Sequence, residues 1–599
     1  MKLSDYIIQF LNQKCGIDTT FLVVGGANLH LVKSIAKNKK MQIVCTQHEQ
    51  AASFAAEGYA RVKEKMGFAL GTSGPGGTNM LTGLCCAWMD SIPVFFISGQ
   101  VSRSQCTDGT TIRQLGVQQI NILPMVESVT KYAAFVDDPT KIRYHLEKAV
   151  YFANEGRPGP VWLDIPQDIQ MSQIDPATLV GFSAPPQSKE KNNGWISQME
   201  EILNLLKNSK RPILIVGNGV RLAGARQDLD LLIKKLEFPI ITTWNAIDLI
   251  PSDHPLFVGR SGVFGQYGAN FAVANADLIL SLGSRLDTRQ TGTRKNSFAR
   301  DAKKIVVDIN ESELNKGLIQ IDLKICADAK EFLSTLNQKL KDYKSQPMSD
   351  WKQRCQDWKK RYPVTVPDYY KEKDGVNSYV FIEKLCDQLK EEDIVVTDMG
   401  TSLSCTMQTF RIKKGQKLFT NMGFAPMGFG LPAAIGAYFA SKKDQLICIS
   451  GDGGLQMNIQ EFQTLVYYKI PIKLFIFNNR EYVTIKHTQK AYFQGEFVGS
   501  DPTGGYSSPE FTKVAQAYGL EIEQIKNQRE LETKISSVLS KKGPVICEVH
   551  LPSNQSLIPI LLQHMGHDGI PVTDPIERLS PYLPEEEFIK NMIVPPLAD

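Results

Sequence analysis

The sequence predicts an α/β fold built from three doubly wound parallel sheets. Three observations carry this. Short β-rich runs alternate with helical patterns along most of the chain, and glycine or polar residues follow most of the runs, as βαβ units require. Two polar stretches without an apolar period, 183–194 and 339–372, divide that alternation into three parts. The third part holds a strand–helix–strand unit with oxygen-bearing residues at both strand ends. Its first apolar run leads into Gly451-Asp452-Gly453-Gly454, and its second ends on Asn478-Asn479. Ligands of open α/β sheets bind beyond the carboxyl ends of the strands. The domains are expected at 1–175, 195–340 and 370–560, followed by a C-terminal arm at 561–599.

Composition narrows the class. With 42% hydrophobic and 22% charged residues over 599 positions, the chain reads as an ordinary globular protein of several domains. Sixty-seven basic against 63 acidic side chains leave a net charge of +4, with no basic excess that argues for nucleic acid. The first residues lack the apolar core and cleavage site of a signal peptide. No run approaches the roughly 18 apolar residues of a membrane span. Eleven cysteines without zinc or CxxC spacing read as thiols in a reducing compartment, with the adjacent Cys85-Cys86 in a core. A cytoplasmic location is the expectation.

The first part places three turns just past strands: Gly25-Gly26-Ala27-Asn28, Thr72 through Asn79, and Ser98-Gly99-Gln100. Between the first two lies His48 through Ala60, whose small apolar residues predict a closely packed helix with Glu49 at its start. A first-turn glutamate is favoured by the helix dipole. A partly buried carboxyl can also share a proton with a nitrogen heterocycle. Asp452 is open to two readings as well. An Asp carboxylate and an Asn carbonyl are hard oxygen donors that suit Mg²⁺, and adjacent glycines let backbone N–H groups approach a phosphate. An Asp in a βα turn also caps the helix that follows. The middle part carries another doubly wound pattern, with strands 211–216, 239–243, 278–282 and 304–309 and a Gly217-Asn218-Gly219 turn.

His48-Glu49-Gln50-Ala51-Ala52, Thr72 through Asn79, Arg157-Pro158-Gly159-Pro160-Val161 and the pair Gly451-Asp452-Gly453 with Asn478-Asn479 resemble the acetolactate synthase (acetohydroxyacid synthase) large-subunit family. Its members depend on thiamine diphosphate (ThDP). The resemblance implies that Glu49 hydrogen-bonds N1′ of the ThDP aminopyrimidine, and that Gly25, Gly26, Ser73, Gly74 and Asn79 line the pyrimidine side. Asn421 through Ala437 looks like the loop that bends the cofactor, with Met427 under its rings and the Ala425 carbonyl accepting from the 4′-amino group. Asp452, the Asn479 side chain and the backbone oxygen of Glu481 would hold Mg²⁺. Gly400, Thr401, Ser402, Gly453 and Gly454 would contact the diphosphate. The middle domain is similar to the FAD-binding version of the family, which implies FAD contacts from Gly217, Gly219, Thr242, Gly283, Arg285 and Asp308. Gln100 and Gln118 match glutamines near the reacting centre. Lys131 also matches, and reads equally well as a solvated lysine. The family further implies a homodimer or homotetramer with the site at a subunit interface.

The chain departs from the family after Asn479. On ungapped alignment Thr484 stands where the family has Met, Thr488 where it has Trp, and Val117 where it has Phe. All three changes enlarge the acceptor pocket. The expected activity is decarboxylation of pyruvate with transfer of the two-carbon unit to a carbonyl acceptor. A keto-sugar nucleotide acceptor, or a non-ligating 2-oxo acid decarboxylase or oxidase, are the alternatives. His487 lies where an acceptor would meet it and reads more simply as structural. In the arm, Gly566-His567-Asp568-Gly569 reads as part of a lid, or the whole stretch as a disordered tail.

Overall fold

In the computed structural model, which describes residues 1–107, 109–185, 194–294, 296–553, 555–565 and 569–597, three six-stranded parallel sheets form the framework. The polar break expected at 183–194 lies mostly outside these residues. The first sheet contains β1 (Thr19–Leu22), β2 (Gln42–Cys45), β3 (Gly67–Gly71), β4 (Val94–Gln100), β5 (Tyr132–Phe135) and β6 (Val161–Pro166) in the order β2-β1-β3-β4-β6-β5. The second contains β7 (Pro212–Val216), β8 (Ile240–Thr242), β9 (Phe257–Gly259), β10 (Leu278–Leu282), β11 (Lys303–Asp308) and β12 (Leu323–Cys326), ordered β12-β11-β10-β7-β8-β9. The third contains β13 (Ile394–Thr397), β14 (Lys417–Phe419), β15 (Leu446–Gly451), β16 (Ile472–Asn478), β17 (Glu521–Ile525) and β18 (Val545–His550), ordered β14-β13-β15-β16-β18-β17.

The first and third sheets therefore share one strand order. In each the strand order reverses between its first and third strands, so each has a switch point there, where a doubly wound sheet opens a crevice. In the first sheet that point lies beyond β1 and β3, at Gly25-Gly26 and Ser73-Gly74. In the third it lies beyond β13 and β15, at Gly400–Ser402 and Asp452. The second sheet has the dinucleotide-binding order, with its switch point between β7 and β10. The central strands are buried on both faces, which explains their unbroken apolar runs.

Two compact units result. One comprises Met1–Pro186, Asp393–Leu403 and Lys417–Ser553, and so unites the first and third sheets. Its centre is the crossing of α1 (Glu49–Lys63) with α4 (Gly430–Ser441). The contact is nearly backbone to backbone. A Cβ on Gly436 would lie 1.8 Å from the Ala55 carbonyl oxygen, and one on Gly58 would lie 2.1 Å from that of Ala433. Edge-to-face aromatic pairs flank it, Phe54 with Phe429 at 5.3 Å and Phe21 with Phe439 at 6.0 Å. Gly436→Ala is expected to cost about 3 kcal/mol or more, because overpacking here must separate two helix backbones. Thermal unfolding of the variant, compared with an alanine at the open Gly26 position, checks this.

The other unit comprises Gln187–Glu392, Ser404–Gln416 and Asn554–Asp599. The C-terminal arm belongs to it. β19 (Ile560–Leu561) pairs with β22 (Leu579–Ser580), β20 (Gln563–Met565) with β21 (Pro571–Thr573), and a helix spans Glu585–Asn591. Ile576 and Phe588 enter the core of the second sheet. Asn270 donates to the Ile576 carbonyl at 2.7 Å, and the Trp358 indole to Asn591 at 2.8 Å. The disordered-tail reading does not hold for the described part of the arm: apolar anchors and buried amides fix it where composition alone suggests a solvated tail. Residues 566–568 of the expected lid lie outside the described residues.

Candidate active site

Glu49 opens α1, where the crevice of the first sheet lies beside it. Its side chain is buried, and Asn79 Nδ2 donates to Oε2 at 2.9 Å. The preceding residue caps the helix, with His48 Nδ1 accepting from the Gln50 N–H. Gly74 adopts the left-handed region (φ 62°), and a Cβ there would lie 2.5 Å from the Gln118 carbonyl oxygen. Ser73 Oγ sits 2.6 Å from Gln100 Oε1 and 2.7 Å from that same carbonyl. The Gln100 amide donates to Asp164 at 3.0 Å and to the Ile120 carbonyl at 2.9 Å. Gln100 thus uses its carboxamide to fasten the turns, whereas the Gln118 side chain is exposed on a left-handed residue (φ 64°). Lys131 donates to the carbonyls of Glu155 and Arg157, which gives it a structural duty. Gly25 and Gly26 lie at the end of β1, and Gly25 donates to Asn28 Oδ1.

The crevice of the third sheet is organised by Asp398, which no motif in the sequence singles out. Its fully buried carboxylate accepts from the N–H groups of Met399 (2.8 Å) and Gly428 (3.1 Å) and from Ser450 Oγ (3.0 Å). Burial pushes it up to about 6. Gly454 fits against it, since a Cβ there would lie 2.8 Å from Asp398 Oδ2. Thr401 and Ser402, both buried, begin α3 (Thr401–Thr409) after a left-handed Gly400. Ser402 Oγ bonds back to the Asp398 and Met399 carbonyls.

Asp452 is buried and accepts from the N–H groups of Gly453 and Arg480, both at 2.9 Å. Burial pushes it up to about 7. Asn478 turns away to Glu548, while Asn479 Oδ1 accepts from the Glu481 N–H at 3.1 Å. Lys486 engages the Glu481 carboxylate through Oε1 at 2.8 Å, while Oε2 is buried without a hydrogen-bond partner. One buried carboxylate, one amide carbonyl and one backbone oxygen fit Mg²⁺, which takes few protein ligands. The Tyr482 ring covers Gly453, 2.2 Å from where a Cβ would lie, and packs on Tyr506 at 4.3 Å. The segment holding Met427 is half-buried, and Ala425 within it takes a left-handed φ of 61°. A non-glycine residue held there stores strain, which clusters at functional positions.

In the second sheet, Gly217 and Gly219 meet the backbone of Gly283 across the switch point. Thr242 Oγ1 and Ser284 Oγ, at the ends of β8 and β10, are buried without a hydrogen-bond partner. Two orphaned hydroxyls at that position fit a polar ligand. Arg285 pairs with Glu313 at 3.1 Å, and Asp308 accepts from the Asn310 N–H at 2.9 Å.

The comparisons with known proteins decide the family. Residues 1–125, 199–336 and 398–549 match, in turn, the thiamine pyrophosphate enzyme N-terminal TPP binding domain, central domain and C-terminal TPP binding domain. The acetolactate synthase large subunit of Cyanidium caldarium is 32% identical over 550 residues, covering 90% of this chain and 91% of that protein. The chain belongs to the acetolactate synthase-like thiamine pyrophosphate enzymes. Escherichia coli (strain K12) acetolactate synthase isozyme 1 large subunit is 31% identical over 564 residues, covering 93% and 95%. The probable acetolactate synthase large subunit of Methanocaldococcus jannaschii is 32% identical over 568 residues, covering 93% of each chain.

In this ThDP enzyme two of the three positions expected to depart from the family, Thr484 and Thr488, sit on one helix, Val483–Tyr492, where Thr488 Oγ1 bonds back to the Thr484 carbonyl at 3.2 Å. Ile485 and His487 on that helix are exposed, as is Val117. All eleven cysteines are free thiols, with Cys86 buried and Cys85 half-buried. Among the described residues no helix is long and apolar enough to cross a membrane.

A second buried acid missed by sequence reasoning, Glu461, accepts from the Gln47 N–H at 2.9 Å and from Thr464 Oγ1 at 2.6 Å. Burial pushes it up to about 7. Between about pH 4.5 and 7 the unfolded chain has released this proton and the folded chain has not. Stability therefore falls as pH rises through that window, by up to ~3 kcal/mol from this group, and the loss is complete above it. Glu461→Gln is expected to flatten the pH dependence of the melting temperature between pH 5 and 8. An unchanged slope would remove Glu461 as its source.

Proposed function

We propose that the enzyme decarboxylates a 2-oxo acid, pyruvate, and transfers the two-carbon unit to a carbonyl acceptor, as the names of its relatives suggest. The observation that supports this most directly is the pair of matching crevices: buried Glu49 with Asn79 at one, and Asp452, Asn479 and the Glu481 backbone oxygen at the other. ThDP bound with Mg²⁺ supplies the carbanion chemistry that expels CO₂. The chain's own residues hold and time it. Glu49 holds the proton that passes to and from the pyrimidine nitrogen, and Asn79 fixes its carboxyl. Gly25, Gly26, Ser73 and Gly74 shape the pyrimidine side. Gly400 through Ser402 and Gly453-Gly454 offer backbone N–H groups to the diphosphate. Ala425 would offer its carbonyl to the amino group, and Met427 would support the bent cofactor. Gln118 faces the substrate, and Gln100 positions the turn that carries it.

Several finer features belong to the same proposal. Thr242, Ser284, Arg285 and Asp308, around the switch point of the second sheet, would hold FAD, which would give the two orphaned hydroxyls partners. The enzyme works in the cytoplasm as a homodimer or homotetramer, with Glu49 of one chain completing the metal site of another. Smaller residues at Thr484, Thr488 and Val117, with hydroxyls at the two threonines, favour a second reading of the acceptor as a keto-sugar nucleotide. Purified protein with pyruvate, ThDP and Mg²⁺, followed by mass spectrometry, separates the readings. Acetolactate supports pyruvate as acceptor. Turnover accelerated by an added keto sugar, with a branched product, supports the second reading. Acetaldehyde or acetate alone would show that no ligation occurs, and an absence of CO₂ would sink the proposal.

A further inference from the structure

The segment that carries Ala425 and Met427 is held by charges from the other sheet of its unit. Asp90, at the end of α2 (Leu81–Met89), accepts from the Met422 N–H through one carboxylate oxygen and from the Gly423 N–H through the other, both at 2.8 Å. Arg61, in the last turn of α1, bridges the same carboxylate at 2.5 Å and Glu57 at 2.7 Å. Glu57 in turn accepts from Asn421 Nδ2 at 2.9 Å, and that amide also donates to the Cys86 carbonyl. Asn421 Oδ1 closes the set by accepting from the N–H groups of Phe424 and Ala425 at 3.1 and 3.3 Å. The side chains of Arg61, Glu57 and Asp90 are all almost wholly buried. Beyond Met427 the chain is fixed again, where Gly428 donates to Asp398.

A buried ion triad adds little net stability over apolar residues of the same volume, and its recurrent use is to impose one arrangement. Here the arrangement imposed is the path of Asn421 through Ala425. It passes so close to Asp90 that a Cβ on Gly423 would lie 2.8 Å from the carboxylate. It then delivers Ala425 in the left-handed region. We propose that Asp90, Arg61 and Glu57 are positioning residues for the cofactor: they pre-set the Ala425–Met427 segment, so that ThDP meets a formed surface and does not have to order one. The proposal rests on the ThDP reading of Ala425 and Met427 given above. It adds that helix α1, which presents Glu49 at its first turn, fixes this segment from its last.

Asp90→Asn tests it. The carboxamide keeps the shape but gives up the ion pair, and turns an N–H₂ toward one of two backbone donors. In the cofactor-free protein, amide hydrogen exchange across 421–425 is expected to speed up about tenfold or more, because the opening is local. The ThDP–Mg²⁺ dissociation constant, from intrinsic fluorescence titration, is expected to rise about 10- to 100-fold, while kcat at saturating cofactor falls less than threefold. Exchange and affinity within twofold of wild type in a folded variant would overturn the proposal. Gly423→Ala displaces the same segment without altering a charge and serves if Asp90→Asn fails to fold; wild-type affinity in that variant would overturn the proposal equally. A wild type that binds no ThDP would sink the proposed function, and the exchange data alone would then decide the clamp.

Discussion

Glu49→Gln is expected to lower turnover by ~10²- to 10⁴-fold while ThDP and Mg²⁺ still bind. The glutamine keeps the size and one carbonyl oxygen, so Asn79 retains an acceptor and the first turn of α1 keeps its packing. What it removes is the proton that a carboxyl exchanges with a ring nitrogen. Binding and catalysis should therefore separate: titration of the variant with ThDP and Mg²⁺ should give a dissociation constant within about tenfold of wild type, and CO₂ release should be nearly lost. Retained turnover would exclude Glu49 as the activating acid. Loss of binding with loss of turnover would instead make it a structural anchor, the role a first-turn glutamate at a helix dipole plays elsewhere. Helix α1 makes a structural collapse the less expected outcome, since its packing against α4 is carried by Ala55, Gly58 and Ala433 further along.

Legibility in the sequence followed the range of the interactions. Strands and turns were readable because hydrophobic period and glycine punctuation are local, and the three-sheet division followed from two polar breaks. Strand order was not readable, because it depends on which crossovers pack where, and so the shared order of the first and third sheets emerged only from the structure. The same limit separated the site residues. Glu49, Asp452 and Asn479 sit in short motifs whose chemistry shows in a few neighbours. Asp398, Asp90 and Asn421 act on partners that lie far along the chain: Asp398 on Gly428 and Ser450, and Asp90 on Met422 and Gly423. Nothing beside Asp90 in sequence marks it as more than a helix end. Gln100 shows the reverse case. Its type and place suggested a group aimed at substrate, yet Ser73, Ile120 and Asp164 occupy its carboxamide.

Asp398→Ala is expected to be the most damaging single change in the third sheet. It would leave the N–H groups of Met399 and Gly428 and the Ser450 hydroxyl facing a buried void, where each orphaned donor costs about 1–3 kcal/mol. The sum, on the order of 5 kcal/mol, is comparable to the ~5–15 kcal/mol that keeps a domain folded. The same carboxylate joins the ends of β13 and β15 to Gly428, so its loss also frees the Met427 segment from the side opposite Asp90. Asp398→Asn distinguishes the two consequences. Its carbonyl preserves some of the acceptor role, while its N–H₂ faces the Gly428 N–H as donor to donor. That variant should fold with a lowered melting temperature and bind ThDP about 10²-fold more weakly, whereas Asp398→Ala should be recovered mostly unfolded. Thermal melts and cofactor titration of both decide it. An alanine variant that melts with wild type would show that the crevice is organised by the backbone alone, and that the carboxylate only fills space behind Gly454.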